Sequence, residues 1–304
     1  MAEDVDYPSY LPLAASGRLA GRIEAAYKRL ASCDLCPRRC GVDRTRGQLG
    51  FCRGGLLPQV SSSGPHFGEE PELVGRNGSG TIFLTGCNLR CSFCQNYELS
   101  HYMAGGETRP EDVAGLMLRL EGLGCHNINL VTPTHFLPQL LAAVAAAAAG
   151  GLTLPVVYNC GGYEDVEALR LLEGVVDIYM PDFKFWSPEA SRRYLDAPDY
   201  PEVARAALRE MHRQVGDLVV EDGIALRGLL VRHLVMPGGI EDARSIFGFL
   251  SREISPGTFV NVMDQYRPCY RAGEFPEIAH RLGRREFRAA LGAAREAGLE
   301  RICS

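Results

Sequence analysis

Cys87, Cys91 and Cys94 stand in the run Gly86-Cys87-Asn88-Leu89-Arg90-Cys91-Ser92-Phe93-Cys94, directly after the apolar stretch Thr81-Ile82-Phe83-Leu84-Thr85. Iron–sulfur clusters are held by cysteine thiolates, and three thiolates on one short loop can hold three irons of a cubic [4Fe–4S] cluster. If no fourth thiolate is supplied, one iron keeps an open position for a substrate-like ligand. That open position separates a reactive metal site from a closed structural one. A zinc loop, a disulfide pair or three core thiols are the plainer readings of the same residues.

A second group follows the spacing Cys33-x2-Cys36-x3-Cys40, with Cys52 after eleven further residues. Four thiols so close make a closed set of the kind zinc or an iron–sulfur cluster prefers. Gly41, Gly47, Gly50, Gly54 and Gly55 let a short chain wrap around a metal. Arg38, Arg39, Arg44, Arg46 and Arg53 offset thiolate charge. The segment resembles small zinc-bound knuckles, which inclines the reading to zinc, with an auxiliary [4Fe–4S] cluster as its rival. Either metal would help to fold a segment with little core of its own.

Eleven cysteines in a chain without an evident export signal point to metal or redox chemistry rather than disulfides, and to a cytoplasmic protein. The longest apolar run, Leu140 to Ala149, is too short for a membrane span of about 20 residues. A net charge of −5 argues against nucleic acid as the main partner.

The elements that must position these thiols are legible as alternation. Apolar strands are expected at 81–85, 127–132, 154–159, 176–181, 228–235 and 258–263. Helical patterns lie near 17–30, 109–123, 136–149, 163–173, 187–215, 240–252 and 275–297. Strands alternating with helices imply βαβ units and a parallel sheet. Six units are too few for a closed eight-stranded barrel and fit an open, partial (β/α)6 barrel over residues 81–304. Residues 1–80, with a Gly/Ser/Pro-rich stretch at Ser61-Ser62-Ser63-Gly64-Pro65, read as a cysteine-rich N-terminal extension. In parallel barrels the chemistry sits at the C-terminal ends of the strands, and the Cys87 loop follows that rule.

The C-x3-C-x2-C loop after a first strand resembles the radical S-adenosylmethionine (SAM) superfamily. The resemblance implies the partial barrel and a [4Fe–4S] cluster at Cys87, Cys91 and Cys94 whose open iron chelates the amino and carboxylate groups of SAM. It implies reductive cleavage to methionine and a hydrogen-abstracting 5′-deoxyadenosyl radical. Phe93 matches the family's aromatic position beside the adenine. The resemblance also implies flavodoxin or ferredoxin as electron donor, because low-potential clusters lie near about −400 mV.

Further strand ends carry the same resemblance. Asp182-Phe183-Lys184 is similar to the Asp-x-Lys motif that lies beside SAM in glycyl-radical-enzyme activases. Arg232, on a strand that runs on to Pro237-Gly238, suits the SAM carboxylate, since a guanidinium fork matches a carboxylate. Asn159 and Gln265 stand where relatives place SAM contacts. The second strand ends in Thr132-Pro133-Thr134-His135 in place of Gly-Gly-Glu, so Thr132, Thr134 and His135 are the candidate acceptors for the SAM ammonium. This variant resembles a branch described as pyruvate formate-lyase activating enzyme-like. It implies glycine hydrogen abstraction from a partner enzyme. The alternatives are radical chemistry on a small molecule, peptide or nucleotide, and a non-catalytic iron–sulfur or zinc protein.

Overall fold

The structure is a computed structural model that describes residues 7–304; the first six residues of the polar leader lie outside the described residues. Its strands are β1 (Gln59–His66), β2 (Ser79–Leu84), β3 (Gly106–Glu107), β4 (Ile128–Val131), β5 (Val156–Cys160), β6 (Ile178–Pro181), β7 (Val219–Glu221), β8 (Ile224–Leu234), β9 (Phe259–Met263) and β10 (Arg301–Cys303). Its helices are α1 (Tyr10–Ala15), α2 (Arg18–Lys28), α3 (Pro71–Val74), α4 (Tyr97–Ser100), α5 (Pro110–Gly122), α6 (Leu137–Ala149), α7 (Val166–Leu171), α8 (Pro188–Leu195), α9 (Tyr200–Val215), α10 (Ile240–Phe249) and α11 (Arg284–Glu296).

One ten-stranded sheet runs β10-β9-β8-β6-β5-β4-β2-β1-β3, with β7 paired to β8. From β2 through β4, β5, β6, β8 and β9 to β10 every neighbour is parallel. The path does not close on itself. This is the α/β, partial-barrel architecture that the alternating pattern implies. Fully buried strands such as Ile128-Asn129-Leu130-Val131 are what a parallel sheet covered on both faces requires. Helix α5 buries Val113, Ala114, Met117 and Leu120, one stripe at helical spacing, and begins with Pro110 and two acids in its first turn. Among the described residues no helix is long and apolar enough to cross a membrane.

The single helical pattern at 187–215 is two helices. Ser187 accepts the Ala190 N–H at the start of α8, and Asp196 ends it in the left-handed conformation, before Pro198 and Pro201 restart the chain as α9. The pattern at 275–297 is helical only from Arg284.

The stretch Ser61-Ser62-Ser63-Gly64-Pro65 is the middle of β1, a strand of the same sheet, antiparallel to β2 with Gly64 opposite Thr81 and His66 opposite Ser79. The chain therefore leaves β1 at the end of the sheet opposite to the Cys87 loop. It then folds inward. Leu73 is fully buried among Val157, Ile178, Met180, Leu230 and Phe259, from four different strands. Asn127 donates to the Leu73 carbonyl at 2.8 Å, and Asn261 donates to Glu70 Oε1 at 2.7 Å. The segment from Phe67 to Gly75 thus stoppers the lower end of the barrel.

Candidate active site

Gly86 turns the chain out of β2 at φ +78°, where a Cβ would stand 2.5 Å from the Cys52 carbonyl oxygen; only glycine fits this approach. The loop that follows is pinned by its backbone. The Arg90 and Ser92 N–H groups donate to the carbonyls of Leu195 (3.1 Å) and Tyr194 (2.8 Å). Asn88 donates to the Tyr163 carbonyl at 2.6 Å, and Arg38 Nε donates to the Asn88 carbonyl at 2.9 Å.

The three thiols are held in a buried, structured setting. The Leu89 N–H points at Cys87 Sγ from 3.4 Å, and Cys94 Sγ lies 3.1 Å from Ser100 Oγ. Burial pushes the Cys87 thiol up to about 12 and raises Cys91 and Cys94 as well, while the Lys184 charge pulls each the other way. Three thiols on one backbone-pinned loop, with an N–H beside the Cys87 sulfur and a hydroxyl beside that of Cys94, are a donor set that fits an iron–sulfur group. Among the described residues no three His, Cys, Asp or Glu side chains meet closely enough to hold one ion. A cluster that gives each thiolate its own iron does not require them to meet.

Inside the barrel lies a cavity of about 330 Å³. Cys91, Phe93 and Cys94 line it from the loop, and Asn159, Asp182, Lys184 and Arg232 from the strands. Its polar wall is one connected chain. Lys184 Nζ stands 2.6 Å from Asp182 Oδ2, and Arg232 Nε stands 3.0 Å from Asp182 Oδ1. Arg232 Nη2 donates to Asn159 Oδ1 at 2.7 Å, and its Nη1 lies 3.2 Å from Glu69 Oε2. Glu69 Oε1 is 3.5 Å from His66 Nδ1. Burial alone would raise the Asp182 carboxyl, but Lys184 and Arg232 outweigh it and hold it below the usual range. Glu69 goes the other way: burial exceeds the pull of Arg232, and its carboxyl is raised.

Phe93 packs edge-on against Phe185 and Tyr266, with ring centroids 5.8 Å and 6.2 Å away. Gln265 lines the cavity, and its carbonyl accepts from Gln95 Nε2 at 3.2 Å. Thr132, Thr134 and His135 do not join this wall. Thr132 takes a left-handed turn at φ +61°, and the 3₁₀ turn Thr134–Phe136 carries the next side chains away. Thr134 donates to Glu164 at 2.8 Å. His135 Nε2 lies 2.7 Å from the Thr85 carbonyl; burial lowers its pKa to about 3, so the ring is neutral and this nitrogen donates. Glu69 and His66 are the cavity residues that strand-end reasoning does not reach. The one trace of them in the sequence is the acidic pair Glu69-Glu70 in a stretch otherwise rich in Gly, Ser and Pro.

Residues 81–229 match the radical SAM superfamily. The chain is also 33% identical over 291 residues to the uncharacterized protein MJ0674 of Methanocaldococcus jannaschii, covering 92% of this chain and 79% of that one. The chain belongs to the radical SAM superfamily. A radical SAM domain implies cleavage of SAM at an iron–sulfur cluster, and Cys91, Phe93, Cys94, Asn159, Asp182 and Lys184, which line the cavity, lie within the matched residues. This radical SAM protein is 24% identical over 270 residues to a second uncharacterized protein of the same archaeon, MJ0808, covering 80% of this chain and 73% of that one. Among solved structures it is similar to the radical S-adenosylmethionine methyltransferase TsrM from Kitasatospora setae, determined with cobalamin and a [4Fe–4S] cluster bound. That likeness has a TM-score of 0.45 and 19% identity, and it covers 62% of this chain and 36% of the other.

Proposed function

We propose that Cys87, Cys91 and Cys94 hold the [4Fe–4S] cluster of this enzyme, and that Phe93, Asn159, Asp182, Lys184, Arg232 and Gln265 hold SAM beside it. The observation that carries this reading is the Lys184–Asp182–Arg232–Asn159 chain, which forms one wall of the same cavity that Cys91 and Cys94 line. When bound, the cluster supplies the electron that cleaves the sulfonium C–S bond of SAM and frees a 5′-deoxyadenosyl radical. The protein's part is to bind, orient and shield.

Two permanent cations, Lys184 and Arg232, face the cavity, and each is locked by the same carboxylate. A carboxylate entering there gains charge-assisted hydrogen bonds from groups that need no reorganisation. Asp182 stays ionised and offers the complementary charge to an ammonium. Phe93 supplies an apolar ring for the adenine. At about 330 Å³ the cavity is near the lower end of ligand pockets. It suits one SAM-sized guest, with the hydrogen donor entering from the mouth.

For the donor, the leading reading is a backbone glycine of a partner glycyl radical enzyme, supported by the activase-like Asp182-x-Lys184 and by Arg232 upstream of Pro237-Gly238. A low-potential flavodoxin or ferredoxin is the matching reductant. The absence of a carboxylate from the end of β4 favours the second reading, a small molecule, peptide or nucleotide. Deuterium separates the two: label placed on a partner's glycine enters 5′-deoxyadenosine under the first and stays on the partner under the second.

A further inference from the structure

We infer that Cys33, Cys36, Cys40 and Cys52 hold a second [4Fe–4S] cluster, fully ligated by protein and set against the loop that carries Cys87.

The fold brings the four thiols together. Cys33 N–H donates to the Val42 carbonyl (2.9 Å) and Gly41 N–H to the Cys33 carbonyl (3.0 Å), closing a tight loop around Cys36 and Cys40. The chain returns over Cys40 at Gly50, where a Cβ would stand 2.7 Å from Cys40 Sγ. Arg39 N–H donates to the Cys36 carbonyl (3.0 Å) and Arg53 N–H to the Gly50 carbonyl (3.0 Å), two tight turns that hold Cys40 and Cys52. Gly54 N–H approaches Cys52 Sγ at 3.4 Å, the same residue-to-second-next geometry that Leu89 shows toward Cys87. Such N–H groups favour the ionised, metal-bound form of sulfur.

A separate observation points to a negative centre at this place. Arg44 is 1% exposed and has no carboxylate partner among the described residues. Its guanidinium reaches the Gly55 and His135 carbonyls (3.1 Å from Nε, 2.6 Å from Nη1) and lies 4.0 Å from Cys33 Sγ. A buried cation without a counter-charge is costly. Four thiolates on a metal centre, net negative, supply that charge.

The choice between zinc and a cluster follows from placement. Zinc has no redox chemistry, whereas an iron–sulfur cube carries an electron. A cluster held here stands beside the loop of Cys87, Cys91 and Cys94 and can pass an electron to it; zinc cannot. The sequence alone inclines to zinc, and the placement favours the cluster. The Cys52 carbonyl abuts Gly86, and Arg90 Nη2 donates to the Phe51 carbonyl at 2.5 Å, so the two metal groups are near neighbours.

The test is iron, zinc and sulfide analysis with Mössbauer spectroscopy on the full chain, prepared without oxygen. The inference expects about eight irons and no stoichiometric zinc, since each cube holds about four. Cys36→Ser and Cys52→Ser should each lose about half of the iron. The reduced wild type should show an electron-paramagnetic signal broadened by coupling between two clusters, and Cys36→Ser a sharp signal from one. One zinc per chain that vanishes in Cys36→Ser while iron is unchanged overturns the inference, as does wild-type protein with about four irons whose single signal shifts when SAM is added. The wild-type measurement decides even if a variant fails to fold. Failure of the proposed SAM site reads differently: there, Cys91→Ala loses no iron.

Discussion

Arg232 Nη1, on a central strand of the barrel, lies 3.2 Å from Glu69 Oε2, a group that reaches the lumen from the opposite end of the sheet. Both side chains are largely buried, at 16% and 8% exposure, and Asp182 takes the other face of the guanidinium at 3.0 Å. One cation thus holds two carboxylates inside the barrel. Arg232→Ala leaves Asp182 with Lys184 alone and takes from Glu69 its only arginine among the described residues, and breaking a buried pair in this way costs about 3–5 kcal/mol. Denaturant unfolding of wild type and variant measures it; a loss well below 1 kcal/mol would mean that the network carries little.

Glu69→Gln keeps the shape and one acceptor. It should cost less than Arg232→Ala, about 1–3 kcal/mol, and should lower the SAM affinity less than Asp182→Asn does. If Glu69→Gln weakens SAM more than Asp182→Asn, the carboxylate from the lower end of the barrel is itself the SAM contact.

Asp182→Asn removes the group that orients Lys184 and Arg232 together. The SAM dissociation constant should rise about tenfold or more, equal to about 1.4 kcal/mol. Equilibrium dialysis on the cluster-loaded protein checks this, and an unchanged constant counts against the assignment of this wall to SAM.

Asp177, just before β6, links Ser9 to β5. It accepts from the Ser9 N–H and hydroxyl (2.8 and 2.7 Å) and from the Val156 N–H (2.9 Å). Burial outweighs these bonds and pushes its pKa from 3.8 up to about 6. The folded value is raised, so its contribution is fully present below pH 3.8 and is lost as pH rises through 6. The stability of wild type relative to Asp177→Asn should therefore fall by ~3 kcal/mol between pH 3.5 and 7. Parallel unfolding curves for the two proteins across that range would refute the raised value.

Gly86→Ala adds a Cβ at φ +78° and 2.5 Å from the Cys52 carbonyl. The backbone term alone is about 1–2 kcal/mol, and the clash must separate the two cysteine segments. Reduced iron content after anaerobic reconstitution is the expected outcome; full iron loading would show that the contact is dispensable.

The parallel core was legible because its strands are short apolar runs between helical patterns. Ile128–Val131 and Phe259–Met263 need only burial on both faces to be read. Strand β1 was not, since Ser, Gly and Pro are poor strand formers. Its pairing to β2 comes from backbone hydrogen bonds that leave no side-chain pattern. Asn159, Asp182, Lys184 and Arg232 could be picked from strand ends because a parallel barrel gathers those ends. Thr134 and His135 lie past Thr132, whose left-handed backbone redirects the chain, a turn that no propensity signals for threonine. Glu69 is invisible to such reasoning. It reaches the lumen only because β1 runs antiparallel and returns the chain to the barrel's lower end.

The most direct test is the amount of 5′-deoxyadenosine formed from SAM by the oxygen-free, cluster-loaded, chemically reduced protein, compared with Cys91→Ala. The account predicts 5′-deoxyadenosine and methionine in equal amounts from wild type and none above background from the variant. Equal product from both, or none from an iron-loaded wild type, would contradict it.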